Sequence, residues 1–139
     1  MAKELQLQIL TPGRELFSGS VSELLLPSFD GEIGVLPAHE DFIGLLGTGV
    51  MKIVHHGNDY WFMVSSGVYE VRGSSVTVLA EVAEAAESVD VDTAKAQEAA
   101  LAPEVSAKSS FEPEYEDLAT EYQRARARIE VHRRTHLVN

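Results

Sequence analysis

Ser88-Val89-Asp90-Val91-Asp92-Thr93-Ala94-Lys95-Ala96-Gln97-Glu98 is where the hydrophobic pattern of this 139-residue chain changes its period. Before it, apolar side chains recur at every second position; after it, at every third or fourth. Successive side chains of a strand point to opposite faces, whereas a helix returns to one face every 3.6 residues, so this stretch separates a β region from a helical one. Two parts are predicted, residues 1–87 and residues 88–139.

Working back from the boundary, Leu5, Leu7 and Ile9 alternate with Glu4, Gln6 and Gln8, the pattern of a half-buried strand that Thr11-Pro12-Gly13 ends. Further strands are predicted over Val21 to Leu26, Thr48 to His56, Asp59 to Ser65, Gly67 to Arg72 and Ser75 to Val82, with turn chemistry at 56–59 and 72–74. Many short strands at short spacing predict a flattened antiparallel β-sandwich or barrel. Tyr60, Trp61, Phe62, Met63 and Val64 read as core and cross-strand packing, because aromatic side chains mostly fill cores.

Forward of the boundary, Ser88 or Asp90 can cap a helix over Val91 to Leu101, and Pro103 is expected to end it. Ala102 to Pro113 reads as a linker. From Glu114 onward Tyr115, Leu118, Tyr122, Ala125, Ile129 and His132 fall in steps of three and four, a seam too thin to hold a helix without a partner surface. A two-helix hairpin with a weak, changeable dock is the expectation.

Charge narrows the partners. The formal net charge is −11, with six Lys/Arg against 17 Asp/Glu before residue 114 and five Arg against five acids after it. Nucleic acid and anionic lipid both require a basic surface and are excluded as whole-protein partners. With no cysteine there is no disulfide, thiolate nucleophile or Cys-ligated metal. The first residues lack the apolar core of a signal peptide, so a cytoplasm-like compartment is expected. Arg124, Arg126, Arg128, Arg133 and Arg134 spread around the last helix, which predicts a mostly solvated basic end, with an acidic docking surface on a partner as the sharper alternative.

No motif assembles an enzyme. His39-Glu40-Asp41 are consecutive and cannot readily converge on one ion, and His55 and His56 are expected to face opposite ways on a strand. Gly44 to Gly49 lacks the Gly-Lys-Ser/Thr ending of a phosphate loop. Asp92 and Lys95 share a helix face, where they can pair with each other or grip a nucleotide. A free-standing β-sandwich nucleotide-binding module is therefore the alternative function.

The stretch Gly31-Glu32-Ile33-Gly34-Val35-Leu36-Pro37-Ala38-His39, read as a constrained loop between strands, and the strand Val76-Thr77-Val78-Leu79-Ala80 form the most specific pair of motifs. Together with Leu16-Phe17-Ser18-Gly19 and Ser66-Gly67-Val68-Tyr69-Glu70-Val71, in that order, they make the chain resemble the epsilon subunit of the F-type ATP synthase. The resemblance implies a sandwich of about ten strands and a C-terminal helical pair. It implies a non-catalytic place in the rotor stalk, at the cytoplasmic face of a bacterial inner membrane rather than a thylakoid. The implied partners are the gamma subunit and the c-ring, with Glu32 and His39 as ring-facing candidates, and the alpha and beta subunits through the helices. The helical pair is similar to an element that folds beside the sandwich or extends along gamma and blocks ATP hydrolysis. Some family members bind regulatory ATP through Ile/Leu-Asp-x-x-Arg-Ala. Here Val91, Asp92, Lys95 and Ala96 occupy that motif, and lysine lacks arginine's planar fork, so weak or no ATP binding and no cofactor are expected.

Overall fold

A computed structural model describes residues 4–37 and 40–136. It contains eight strands among the described residues: β1 (Leu5–Thr11), β2 (Arg14–Val21), β3 (Glu23–Ser28), β4 (Gly31–Val35), β5 (Phe42–Leu45), β6 (Thr48–His55), β7 (Asn58–Arg72) and β8 (Ser75–Ala85). A short 3-10 turn, Ala86–Ser88, leads to two helices, α1 (Val91–Ala107) and α2 (Tyr115–His136). The order across the sheet is β2-β1-β8-β7-β6-β3-β4, with β5 paired to β7, and the sheet does not close into a barrel.

The strand count differs from expectation for a local reason. Asp59 to Ser65 and Gly67 to Arg72 are one bent strand, β7, because Ser66 and Gly67 adopt φ of 63° and 123° while the ladder with β8 continues in the same register on both sides, through Ser65 and Gly67. The neighbour on the other side changes at that bend: β6 pairs with Asn58 to Ser65, and β5 pairs with Val68 to Val71. Gly67 sits so near the Leu79 carbonyl oxygen that a β-carbon would collide with it. Conversely, the first five residues of the presumed loop, Gly31–Val35, are strand β4, paired antiparallel with β3.

The sheet is also not wholly antiparallel, since β1 runs parallel to β8. The direction of β8 is set by its hairpin with β7, and as the last strand it enters beside the first with no turn joining the two. Alternation on β1 holds: Leu5, Leu7 and Ile9 are buried, while Gln6 and Gln8 face outward and hydrogen-bond Ser20 and Glu15 of β2. These leucines join Leu24, Leu26, Met51, Ile53, Val64 and Val78 in the main core. The apolar run of β7 is buried on both faces: Phe62 and Val64 face this core, whereas Met63 lies in a second cluster with Ala86, Ala127 and Val131 under α2. Tyr60 departs from the predicted core and is exposed.

Asp90 caps α1 by accepting the Thr93 N–H at 3.1 Å, and these hydrogen bonds to Thr93 hold its carboxyl below the usual range. Pro103 does not end α1, which continues to Ala107. Pro103 and Ala99 are both exposed, so the Ala99 carbonyl, deprived of its N–H donor, can turn to water, while half-buried Leu101, Ala102 and Val105 continue the inner face. The linker accordingly shortens to 108–114.

Gly67→Ala should lower stability by about 2–4 kcal/mol, through both the backbone angle and the collision with Leu79. A urea midpoint within error of the parent protein's would show that the bend does not require glycine.

Candidate functional site

The contact between α2 and the sandwich is the most elaborated polar surface of the molecule. On α2, positions 124, 127, 128 and 131 form one stripe at helical spacing; the helix packs on β6 and β7, and its arginines reach β8. The Arg124 side chain is only 11% exposed. Its Nε–H donates to Ser65 Oγ at 2.7 Å, and its terminal nitrogens reach Glu81 at 3.3 Å and Glu121 at 3.2 Å. Ser65 is the buried polar residue of the sandwich among the described residues, and its hydroxyl also meets Thr48 Oγ1 at 2.8 Å. One turn on, Arg128 donates to both oxygens of Glu84, at 2.9 and 3.4 Å. These contacts correct the expectation of a solvated basic end for Arg124 and Arg128.

The apolar part of the same contact is small. Ala127 and Val131 are its buried side chains on α2, and burying a valine contributes about 1.5–3 kcal/mol. Charge-assisted hydrogen bonds contribute about 1.5–3 kcal/mol each before the cost of desolvating both partners. Polar contacts therefore weigh as much as apolar ones in holding this helix.

Arg126 lies on another face. It is half-exposed, approaches Glu98 of α1 at 3.7 Å and stands 5.7 Å from the Tyr122 ring centroid. Arg134 lies over Trp61, 5.8 Å from the ring centroid, and Lys52 stands 5.6 Å from the same ring. Glu130 receives Arg133 and Arg134, at 2.5 and 2.6 Å. The Arg133 hydrogen bond, then that of Arg134, holds the Glu130 carboxyl at about 2 despite partial burial.

Between α2 and the β3–β4–β6 region runs a groove of about 480 Å³ lined by Glu32, Glu98, Arg126, Glu130 and Arg134 among others. Structure brings Glu32 of β4 and Arg126 of α2 to this one groove, a meeting the sequence did not signal. Three carboxylates oppose two arginines there, and both arginines already face glutamates. Such a lining is poorly suited to a polyphosphate.

The motif residues Asp92, Lys95 and Ala96 are exposed on α1 and Val91 is half-buried; no ion pair joins Asp92 to Lys95 among the described residues. His39 lies outside the described residues. Asp41 accepts the Gly73 N–H at 2.6 Å, a structural role. The rings of His55 and His56 do not point apart: their centroids are 3.9 Å from each other because His56 takes a φ of 50° in the turn after β6. Among the described residues no three His, Asp or Glu side chains are grouped to hold a metal, and no helix is long and apolar enough to cross a membrane.

Ser65, Glu81 and Glu84, missed from sequence, were signalled only by the arginines four residues apart with Ala127 and Val131 between and beyond them. A second surface lies on β5, whose one ladder partner among the described residues is β7. Ile43 and Leu45 share the outward face of this edge strand and are 69% and 57% exposed; Phe29, 77% exposed, donates its N–H to the Leu45 carbonyl at 2.9 Å.

A bent β-sandwich with an exposed apolar edge, followed by a helical pair clasped to it by polar contacts, defines a two-part β-plus-α protein. Residues 4–86 match the family described as ATP synthase, Delta/Epsilon chain, beta-sandwich domain. The chain is 46% identical over 94 residues to the ATP synthase epsilon chain of Pelotomaculum thermopropionicum, covering 68% of this chain and 70% of that one. It is 35% identical over 128 residues to that of Prochlorococcus marinus strain MIT 9303, covering 91% and 96%. Its fold is similar to a chain in the OSCP/F1/c-ring structure of the Euglena gracilis mitochondrial ATP synthase, with TM-score 0.70, 16% identity and coverage of 96% and 80%. It is also similar to a chain in the central stalk/c-ring structure from Tetrahymena thermophila, with TM-score 0.56, 10% identity and coverage of 96% of both chains. The chain belongs to the ATP synthase epsilon-chain family and is a non-catalytic subunit.

Because the Glu130 carboxyl is depressed in the folded protein, its contribution to stability is complete above its ordinary value of 4.5 and disappears as pH falls towards about 2. The stability difference between the parent and Glu130→Gln should follow that course. A difference independent of pH across this window would contradict it.

Proposed function

We propose that this chain is a central-stalk subunit that couples proton flow through a c-ring to ATP synthesis and restrains ATP hydrolysis with its helical hairpin. One observation carries the docking half of this reading: β5 is an edge strand with an exposed apolar face, Ile43 and Leu45 beside Phe29. Exposed apolar edges are templates for association unless something covers them, and in a rotor subunit the gamma subunit or the c-ring would do so. Glu32, exposed on β4, and His39 are the proposed ring-facing residues. The hairpin supports the regulatory half, since a helical pair held by exchangeable polar contacts as much as by a small apolar cluster can leave the sandwich at modest cost. Through it the alpha and beta subunits become partners, with Arg124, Arg126 and Arg128 as contacts after release. Residues 88–139 are the proposed regulatory part and 1–87 the docking part. Attachment to the membrane is peripheral, through the complex, at the cytoplasmic face of a bacterial inner membrane.

Deleting Val89 to Asn139 should leave assembly and proton-driven synthesis in place and raise ATP hydrolysis by the purified complex. Unchanged hydrolysis would remove the inhibitory role. Replacing Ile43 and Leu45 by aspartate should reduce retention of the chain in the detergent-solubilised complex while leaving its circular dichroism unchanged; full retention would move the docking surface elsewhere. Calorimetric titration of the isolated chain with ATP should give no saturable heat, because Lys95 replaces the arginine and the groove carries three carboxylates. A saturable isotherm would favour the nucleotide-binding alternative.

A further inference from the structure

Arg124 and Arg128 stand one helical turn apart and address acceptors of the sandwich that lie near one another across the β7–β8 ladder, Ser65 on β7 and Glu81 and Glu84 on β8. From this geometry we infer that the two arginines are the clasp that sets how often the hairpin leaves the sandwich; the inference rests on the reading of the hairpin as a regulatory element.

The cost of release depends on which contacts are exchanged for water. A helix docked by a large apolar stripe would have to expose that stripe, and its dock would be permanent on the timescale of regulation. Here the buried side chains that α2 contributes to the second cluster are Ala127 and Val131. They cover Met63 and Ala86, with Val50, Trp61, Val82 and Val89 at the margin, and beside this cluster stand guanidinium hydrogen bonds to two carboxylates and a hydroxyl, all of which water can replace. Glu81 is 65% exposed and Glu84 32% exposed while bound, so their rehydration is partly complete before release. The exchange is therefore nearly balanced, and removing one side of it should shift the population rather than unfold the domain. Arg124 is bound more specifically than Arg128, because its Nε–H enters the hydroxyl pair formed by Ser65 and Thr48.

Trp61 is the single tryptophan, and it packs against the cluster beneath α2 with Arg134 over its ring. Its emission therefore reports release in the full-length chain. Arg124→Met with Arg128→Met keeps the aliphatic stems and removes the charges; Glu81→Gln with Glu84→Gln weakens the clasp from the sandwich side, leaving α2 unaltered. Each double variant should raise the released population about tenfold and shift Trp61 emission to longer wavelength, with the strand signal in circular dichroism retained. Exchanging the pair, Arg128→Glu with Glu84→Arg, should return the emission towards that of the parent. Parental emission in the glutamine double variant would overturn the clasp, because α2 would then be held by the apolar cluster alone. In the reconstituted complex, the variants that release the hairpin should lower ATP hydrolysis. Emission that shifts without any change in hydrolysis would uphold the clasp and reject the inhibitory role of the hairpin.

Discussion

Gly67 lies against the carbonyl of Leu79 at the point where β7 bends, and the rest of the sheet depends on that close approach. With Ser66 and Gly67 in left-handed backbone, β7 pairs with β8 on both sides of the bend, from Phe62 to Arg72, while β6 gives way to β5 on its other side. One strand thus serves both halves of a folded sheet, and the core closes without the sheet closing. The bend has two consequences for the surface. It sets β5 as an edge with its apolar face outward, and it places Ser65, immediately before the turn, within reach of α2.

The two outer faces that result differ in chemistry. At β5 the surface is apolar, and association there would exclude water from Ile43 and Leu45. Under α2 it is mostly polar, with a small apolar cluster beneath arginine–glutamate pairs. Apolar burial favours lasting contact, whereas pairs of charged groups gain and lose solvation almost equally. A subunit with one permanent and one reversible contact has a use for both kinds of surface, and the division follows the boundary between sandwich and hairpin.

The parts legible in sequence were those set by local pattern. The change of period near Ser88 stands beside the start of α1 at Val91, and Asp90 was legible as its cap because capping involves neighbours only three residues away. The bend in β7 was hidden because Ser66-Gly67 looks the same whether it ends a strand or turns it. Pro103 misled because a proline's cost, about 3 kcal/mol in a helix interior, says nothing of the packing of Leu101 and Val105 that offsets it. The parallel pairing of β1 with β8 joins residues some seventy positions apart and leaves no local trace. At the candidate site the arginines were visible but their partners were not. Charge alone predicts solvated side chains for Arg124 and Arg128, whereas both are mostly buried and their heads find acids on β8.

On the proposed function, the sandwich docks through its apolar edge and the hairpin keeps a separate, reversible contact. Amide hydrogen exchange of this chain, free and within an assembled ATP synthase, tests it most directly. The account predicts that assembly slows exchange across residues 29–45, around Phe29, Ile43 and Leu45, and that exchange in α2 varies independently of that protection. Identical exchange across 29–45 in the free and assembled chain would contradict it.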